Sequence, residues 1–255
     1  MSLPKAVRVC AVAFMSSVGV ALASGSAIAG PVLVELFTSQ GCSSCPPADA
    51  LFAEYVDRDD VIALSLPVDY WNYLGWEDTF AQLAHTQRQY GYAATRGDNQ
   101  VYTPQVVVAG TWHVVGSDRS AIEAAIAAAE DLPSVELSIV GTDGGLQVEV
   151  GDAVSGAPTY GTLWLVMYDD AATVEIGRGE NAGRSVTYRH IVLEMHSLAM
   201  WRGEAMSIEL ATMGLTSAGA DGCVVILQQH FGAAPGQVIA AASYTLPRQS
   251  PGSLD

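Results

Sequence analysis

Two residues separate Cys42 from Cys45 in a chain of 255 residues that contains four cysteines. At the start of a helix, this spacing lets the two sulfurs form a disulfide with little rearrangement. The free amides and the dipole of a helix N-terminus also favour the thiolate of the first cysteine over its thiol. We therefore predict that Cys42 acts as a nucleophile and that Cys45 resolves the mixed disulfide.

The same C-x-x-C spacing occurs in zinc sites, which need a second pair of ligands. No second pair of ligands follows in this sequence. We therefore predict neither a metal site nor a bound cofactor. Two other uses of the pair stay open. The cysteines could hold a soft metal such as Cu(I) for delivery, or form a structural disulfide in an exported protein. Closing so short a loop removes little chain entropy, which argues against the structural use.

The residues around the cysteines predict alternating strands and helices. The predicted elements are a strand at 31–37, a helix from Cys42, a strand at 61–66, a helix at 78–91, a hairpin at 105–115 and a helix at 119–130. This order, with the cysteines at the first helix, predicts a thioredoxin-like α/β domain over residues 30–132. In that fold a cis proline before the hairpin lies against the active-site pair and leaves the preceding backbone free to bind substrate. We accordingly assign Pro104 to the catalytic site and Thr103 to substrate binding.

Residues 133–246 show short alternating runs separated by Gly and Asp turns, which is typical of an all-β sandwich. The predicted fold class is thus an α/β thioredoxin-like domain followed by a smaller all-β sandwich-like domain. Residues 247–255 are predicted to be a disordered tail. The predicted strands of the second domain are 135–140, 146–150, 163–168, 173–176, 185–193, 206–210, 223–229 and 237–244.

Glu35 is a candidate for proton transfer, because it lies on a strand predicted to be central, on the same side as Leu33 and Phe37. A buried carboxyl there would have a raised pKa and could relay a proton to or from Cys45. The alternative is that the strand is less buried and Glu35 reaches water.

An aromatic segment follows the second predicted strand. Its residues Tyr70, Trp71 and Trp76 could line a groove beside Cys42 and bind substrate, since aromatic side chains with polar tips favour interfaces. The alternative is that these rings pack into the core of the domain.

Several residues of the second half have two interpretations. Met195, His196 and Met200 suit Cu(I), but methionines also fill gaps in a core. Cys223 lies in an apolar run and is either a buried thiol or a third redox thiol. The segment 178–181 is either a hairpin turn or a charged binding loop.

Residues 1–29 resemble a signal peptide, with a basic start, an apolar run and a small-residue cleavage site after Ala29. The apolar run is too short to span a membrane, so we expect a periplasmic or secreted protein without membrane insertion. A net charge of −16 disfavours binding to nucleic acid. The predicted function is that of an exported thiol–disulfide oxidoreductase or redox adaptor, whose partners are the thiols or disulfides of exported proteins.

Five long motifs carry a family resemblance. They are Val34–Asp49, Val68–Trp71 with Leu74–Trp76, Val101–Gln105, Val115–Arg119 and Gly179–Arg184. With these motifs the chain resembles a bacterial secreted family of unknown function in the thioredoxin-like superfamily, the DUF1223-type family. The resemblance implies a fold but no substrate, so the predicted function rests on the cysteines. Family members tend to carry histidine where this chain has Pro67 and aspartate where it has Asn72, so any chemistry of that histidine is missing here.

Overall fold

The computed structural model describes residues 30–211 and 219–247. The predicted signal peptide and residues 248–255 of the predicted tail lie outside the described residues. In chain order the elements are β1 (Val32–Thr38), α1 (Pro46–Val56), β2 (Val61–Pro67), a 3-10 turn (Asn72–Leu74), α2 (Leu83–Arg96), β3 (Gln105–Val108), β4 (Trp112–Val115), α3 (Arg119–Glu130), β5 (Leu137–Thr142), β6 (Gly145–Val150), β7 (Gly161–Glu175), β8 (Ser185–Trp201), β9 (Met206–Ala211), β10 (Gly222–Phe231) and β11 (Ala234–Thr245). Within the described ranges, no helix has the length and apolar character needed to cross a membrane.

Eight strands form one mixed sheet in the order β11-β10-β7-β8-β2-β1-β3-β4. Strand β1 pairs in parallel with β2 and antiparallel with β3. Strands β7 and β8 form a long antiparallel pair, and β8 joins β2 where Ile191 pairs with Ser65. A second, antiparallel sheet has the order β5-β6-β9.

The predicted division into a thioredoxin-like α/β domain and a separate all-β sandwich is wrong. Strands from both halves of the chain share the eight-stranded sheet, with β8 beside β2. The error has a physical cause. An apolar run identifies a strand covered on both faces, but it does not show which strand lies at each hydrogen-bonding edge. The runs predicted as separate strands at 163–168 and 173–176 are likewise parts of one strand, β7.

The core is divided by the sheet. Val34 and Leu36 of β1 pack with α1 and α3 on one face. Leu33 and Phe37 point to the other face, where they pack with Tyr92 of α2. A third apolar cluster fills the space between the two sheets. Because side chains alternate along a strand, each residue of β1 faces either α1 or α2.

The outer parts of β7 and β8, together with their connecting loop 176–184, form the β7–β8 arm (residues 169–190). The arm leaves the sheet at His190, whose φ of 45° is rare for a residue other than glycine. Its ring Nδ1 lies 3.0 Å from the carbonyl oxygen of Ala63. From there the arm runs back along α1, and Arg189 lies 3.5 Å from Asp57 just after the end of that helix. The loop at the tip of the arm therefore reaches the start of α1.

Candidate functional site

The two cysteines lie where β1 turns into α1. Cys45 is the N-cap of α1 and Pro46 follows it, a position where proline is tolerated because the first amides of a helix have no internal partners. Cys42 and Cys45 are joined as a disulfide, with their Cα atoms 5.4 Å apart. Cys42 is 3% exposed and Cys45 is fully buried, whereas Ser43 and Ser44 between them are exposed.

Thr103 and Pro104 lie beside this site, joined by a cis peptide bond. Pro104 is buried. A Cβ atom built on Gly116 would lie 3.0 Å from the Cβ of Pro104 and 3.2 Å from that of Ala48, so Gly116 is the close-packed point between the proline and the first turn of α1. The structure thus brings Pro104 next to the helix that carries Cys45.

The aromatic loop (residues 69–80) covers one side of the cysteine segment. The backbone of Trp71 packs closely on Gly41, and its indole Nε1 donates a hydrogen bond of 2.7 Å to Thr103 Oγ1. Trp76 Nε1 donates to Gln40 Oε1 at 2.8 Å. Of the residues predicted to bind substrate, Trp71 and Trp76 therefore contact the segment that precedes Cys42, and Thr103 is hydrogen-bonded to Trp71.

Tyr70, the remaining residue predicted to bind substrate, has its hydroxyl between Gln89 and Thr103. Its hydroxyl donates to Gln89 Oε1 of α2 at 3.2 Å. Tyr73 of the same loop is the exposed aromatic side chain, 77% accessible, and its ring stacks on that of Trp71 at 6.5 Å. The solvent-facing aromatic surface beside the pair is thus formed by Trp71 and Tyr73.

The loop of the β7–β8 arm covers the other side of the cysteine segment through Asn181. The buried side-chain amide of Asn181 donates to the carbonyl oxygens of Gln40, at 2.9 Å, and Cys42, at 2.8 Å. Its own Oδ1 is buried without a partner among the described residues. Gly179, in the same loop, packs on the Cβ of Trp76, so the arm and the aromatic loop contact each other. Sequence reasoning did not identify Asn181, although it lies within one of the resembling motifs.

A buried carboxyl lies one helical turn behind Cys45. Asp49 of α1 is 5% exposed, and its Oδ1 accepts a hydrogen bond of 2.7 Å from Thr38 Oγ1. Its Oδ2 is buried and has no partner in the described part of the chain. Burial raises the pKa of Asp49 to about 7, the Thr38 hydroxyl lowers it and the charge of Asp78 raises it. Since residues i and i+4 share a helix face, Asp49 and Cys45 point to the same side.

Asp78 and Tyr188 complete the polar interior behind the pair. Asp78 accepts hydrogen bonds from the amides of Gln40, at 2.7 Å, and Phe80, at 2.9 Å. Burial raises the pKa of Asp78 despite these bonds. Burial also raises the pKa of Tyr188 on the arm, and the charges of Asp49 and Asp78 raise it further. Side chains from α1, the aromatic loop and the arm therefore meet in one buried cluster.

The structure does not bring Glu35 to the cysteines. Glu35 faces α2, where its Oε1 accepts from Arg88 Nε at 2.6 Å and its Oε2 accepts from the hydroxyl of Tyr92. Cys45 and α1 lie on the opposite face of β1. The interpretation of Glu35 as a partner of Cys45 in proton transfer therefore has no support in the geometry, and Asp49 is the buried acid on the face of α1 that carries Cys45.

Comparison with known proteins assigns the chain to a family. The family described as "protein of unknown function (DUF1223)" matches residues 33–228. The chain belongs to the DUF1223 family. A crystal structure of protein AGR_C_4864 from Agrobacterium tumefaciens is 31% identical, with a TM-score of 0.76 over 88% of this chain and 98% of that one.

HBP35 of Porphyromonas gingivalis has a similar fold, with 13% identity and a TM-score of 0.53 over 89% of this chain and 78% of that one. No curated protein matches the chain.

The third cysteine of the described residues is not part of the site. In this DUF1223 protein Cys223 is fully buried in the cluster between the two sheets. Burial raises the pKa of its thiol to about 11. A thiol in that position is protonated at neutral pH and behaves as a small apolar side chain.

The methionines and histidine considered for copper are placed apart from the cysteines, on β8. His196 is exposed and its Nε2 lies 2.7 Å from Glu194 Oε2, while Thr162 donates to Met200 Sδ at 3.3 Å. The described residues of this DUF1223 chain contain no group of three or more His, Cys, Asp or Glu side chains that could hold a metal ion.

Proposed function

We propose that this protein exchanges disulfides with the thiols of exported proteins through Cys42 and Cys45. The observation that carries the proposal is the buried Asp49, which lies one turn behind a C-x-x-C disulfide and has one carboxyl oxygen without a partner in residues 30–211 and 219–247. A purely structural disulfide gains nothing from an unpaired carboxyl beside it. A disulfide that opens and closes needs a nearby group that can give and take a proton.

In the oxidising direction, the thiolate of a substrate cysteine attacks Cys42 Sγ. This step forms a mixed disulfide and breaks the bond to Cys45, whose sulfur leaves as a thiolate. Because burial raises its pKa to about 7, about half of the Asp49 carboxyls hold a proton at neutral pH, and a protonated Asp49 can transfer that proton to the Cys45 sulfur. A second substrate thiolate then attacks the substrate sulfur of the mixed disulfide, forming the substrate disulfide and releasing the Cys42 thiolate. The reducing direction reverses these steps.

The two loops beside the pair supply positioning. Asn181 holds the carbonyl oxygens of Gln40 and Cys42, and Trp71 packs on Gly41. Because Cys42 is only 3% exposed, a substrate thiol has to displace part of this cover. We therefore expect protein substrates, which can bind the surrounding surface, to react faster than small thiols.

The reduction potential of the pair tests the proposal. We expect the Cys42–Cys45 disulfide to equilibrate with glutathione or dithiothreitol buffers between about −300 and −120 mV, the range of exchange proteins. A Cys42→Ala variant serves as the control that lacks the couple. A bond that remains oxidised below about −300 mV would identify a structural disulfide and refute the proposal. Copper that co-purifies stoichiometrically with the protein and is lost in Cys42→Ala would instead favour metal delivery.

The role of Asp49 has a separate test. In Asp49→Asn the release of Cys45 from the disulfide should slow by about tenfold or more at pH 6, because the proton donor is lost. Above pH 8, where Asp49 is ionised, the two proteins should react at similar rates. The matched control is Asp57→Asn, which changes an acid outside the site. A rate difference that does not depend on pH would rule out proton transfer by Asp49.

A further inference from the structure

A shallow groove runs along α1 from the cysteine pair. Its volume is about 570 Å3, and it lies between Pro46, Ala50 and Ala53 of the helix and five residues of the arm, which are Arg184, Ser185, Val186, Thr187 and Arg189. Pro46 directly follows Cys45, so one end of the groove opens beside the disulfide. The two alanines leave room because their side chains end at Cβ. The groove therefore begins one residue after Cys45, the second cysteine of the proposed reaction site.

The charge of this groove is opposite to that of the chain. The protein has a net charge of −16, yet among the described residues the groove is lined by Arg184 and Arg189 and by no acidic side chain. Arg58, Arg88, Arg96 and Arg119 each form an ion pair of 2.9 Å or less. Arg189 has longer ion pairs, of 3.5 Å with Asp57 and 3.4 Å with Asp170, and its Nε donates a hydrogen bond of 3.2 Å to the carbonyl oxygen of Asp170.

Arg184 and its neighbour Arg178 are exposed. Neither has an ion pair among the residues that the structure describes. Arg202, which is also exposed and unpaired within those ranges, lies at the far end of β8, outside the groove. Uncommitted positive charge is thus concentrated on the arm beside the cysteine pair, where an anionic partner would not have to displace a close internal ion pair.

We propose that this groove binds an acidic segment of the substrate protein next to its reactive cysteine. The inference rests on the proposed thiol–disulfide exchange and names the class of substrate. The helix rises about 10 Å from Pro46 to Ala53, which an extended peptide covers in about three residues. A substrate cysteine at Cys42 therefore places side chains about three to five residues away within reach of Arg184 and Arg189.

Matched peptides test the groove. One dithiol peptide carries Glu three and five residues from the reactive cysteine on each side, and its counterpart carries Gln at the same positions. The oxidised protein should react with the Glu peptide about fivefold faster at low salt, through the gain in encounter rate that complementary charge provides. The preference should disappear in about 1 M salt. It should also disappear in the double variant Arg184→Gln/Arg189→Gln but persist in the control Arg202→Gln.

Equal rates for the two peptides, or a preference that survives the double variant, would overturn the groove proposal. If neither peptide reacts, the proposed exchange activity fails, and the groove is then judged by binding alone. For that purpose the same peptides, labelled and with Ser in place of Cys, are titrated by fluorescence anisotropy. Tighter binding of the Glu peptide that is lost in the double variant supports the groove without the redox reaction, and equal binding refutes it.

Discussion

Glu35 and Asp49 are both buried acids, but they lie on opposite faces of β1 and have opposite surroundings. Glu35 is held by the guanidinium of Arg88 and the hydroxyl of Tyr92. Asp49 has the hydroxyl of Thr38 on one oxygen and, within the described part of the chain, no partner on the other. The first carboxylate is fully compensated and joins β1 to α2. The second is left free to change its protonation state.

The comparison shows why burial of an acid does not by itself indicate a chemical role. A buried ion pair is costly to break, because removing one partner leaves an uncompensated charge. A buried acid without a cationic partner instead stays protonated to a higher pH. Whether a buried carboxyl has a cationic partner therefore distinguishes a structural group from a group that can exchange protons.

The largest effect on stability is expected when the ion pair between Glu35 and Arg88 is broken. Arg88→Met should lower the free energy of unfolding by about 3–5 kcal/mol, since it leaves the Glu35 carboxylate buried without its counter-charge. The reduction potential of the cysteine pair should stay unchanged, because the network lies on the other face of β1. Urea denaturation at pH 7 measures the first quantity and a glutathione titration the second.

Arg119→Met is the matched control for this change. Arg119 pairs with Glu54 at 2.7 Å, but the two side chains are 52% and 61% exposed. Exposed pairs contribute less than about 1 kcal/mol. If both variants lost the same stability, Glu35 and Arg88 would not form the buried pair described here.

The next effect concerns Asp49 and depends on pH. The folded-state pKa of about 7 lies above the unfolded value, so the folded protein holds a proton that the unfolded chain has lost. Wild-type stability should therefore fall as the pH rises from 4 to 8, by up to about 4 kcal/mol from this group. Asp49→Asn keeps an acceptor for Thr38 but has no such titration.

Denaturation curves collected at several pH values check this expectation. The stability of Asp49→Asn relative to wild type should increase steadily from pH 4 to pH 8. Asp57→Asn, at an exposed position, should show no such trend. A difference that is the same at every pH would mean that Asp49 does not titrate in this range.

The smallest expected effect isolates the one hydrogen bond that the carboxyl of Asp49 makes with the described residues. Thr38→Val keeps the shape of the side chain and removes its hydroxyl, at a cost of about 1–2 kcal/mol above pH 7. Because that hydroxyl lowers the pKa of Asp49, the midpoint of the stability profile should move to higher pH. Thr173→Val, on the exposed part of the arm, provides the comparison, and an unmoved midpoint would show that Thr38 does not influence Asp49.

The sequence predicted the residues that meet at the site better than it predicted the fold. The strand before Cys42, the helix after it and the position of Pro104 follow from local patterns of apolar and turn residues. Asp49 was not among the predicted site residues, for a clear reason. Its helical position is on the polar side of α1, and only the arm, more than one hundred residues later, turns that side into an interior.

For a similar reason, local sequence patterns predicted neither the contacts of Asn181 nor the sheet that both halves of the chain share. A Gly-rich hairpin loop predicts a turn but not what the turn touches. The bend at His190 carries no glycine to mark it, so nothing in the sequence showed that β7 and β8 leave the sheet there. The strands that pair with β2 could not be predicted from the sequence either, since strand pairing depends on the tertiary arrangement.

The β7–β8 arm also determines what can be cut out of this protein. A fragment ending at residue 132 would retain both cysteines, Asp49 and Pro104, but it would lose Asn181 from the cysteine segment and Tyr188 from the buried cluster. Its Asp49 would then lie open to water. The first half of the chain alone therefore cannot carry this site into another protein. The site contains residues from both halves of the chain, so both halves must be kept together.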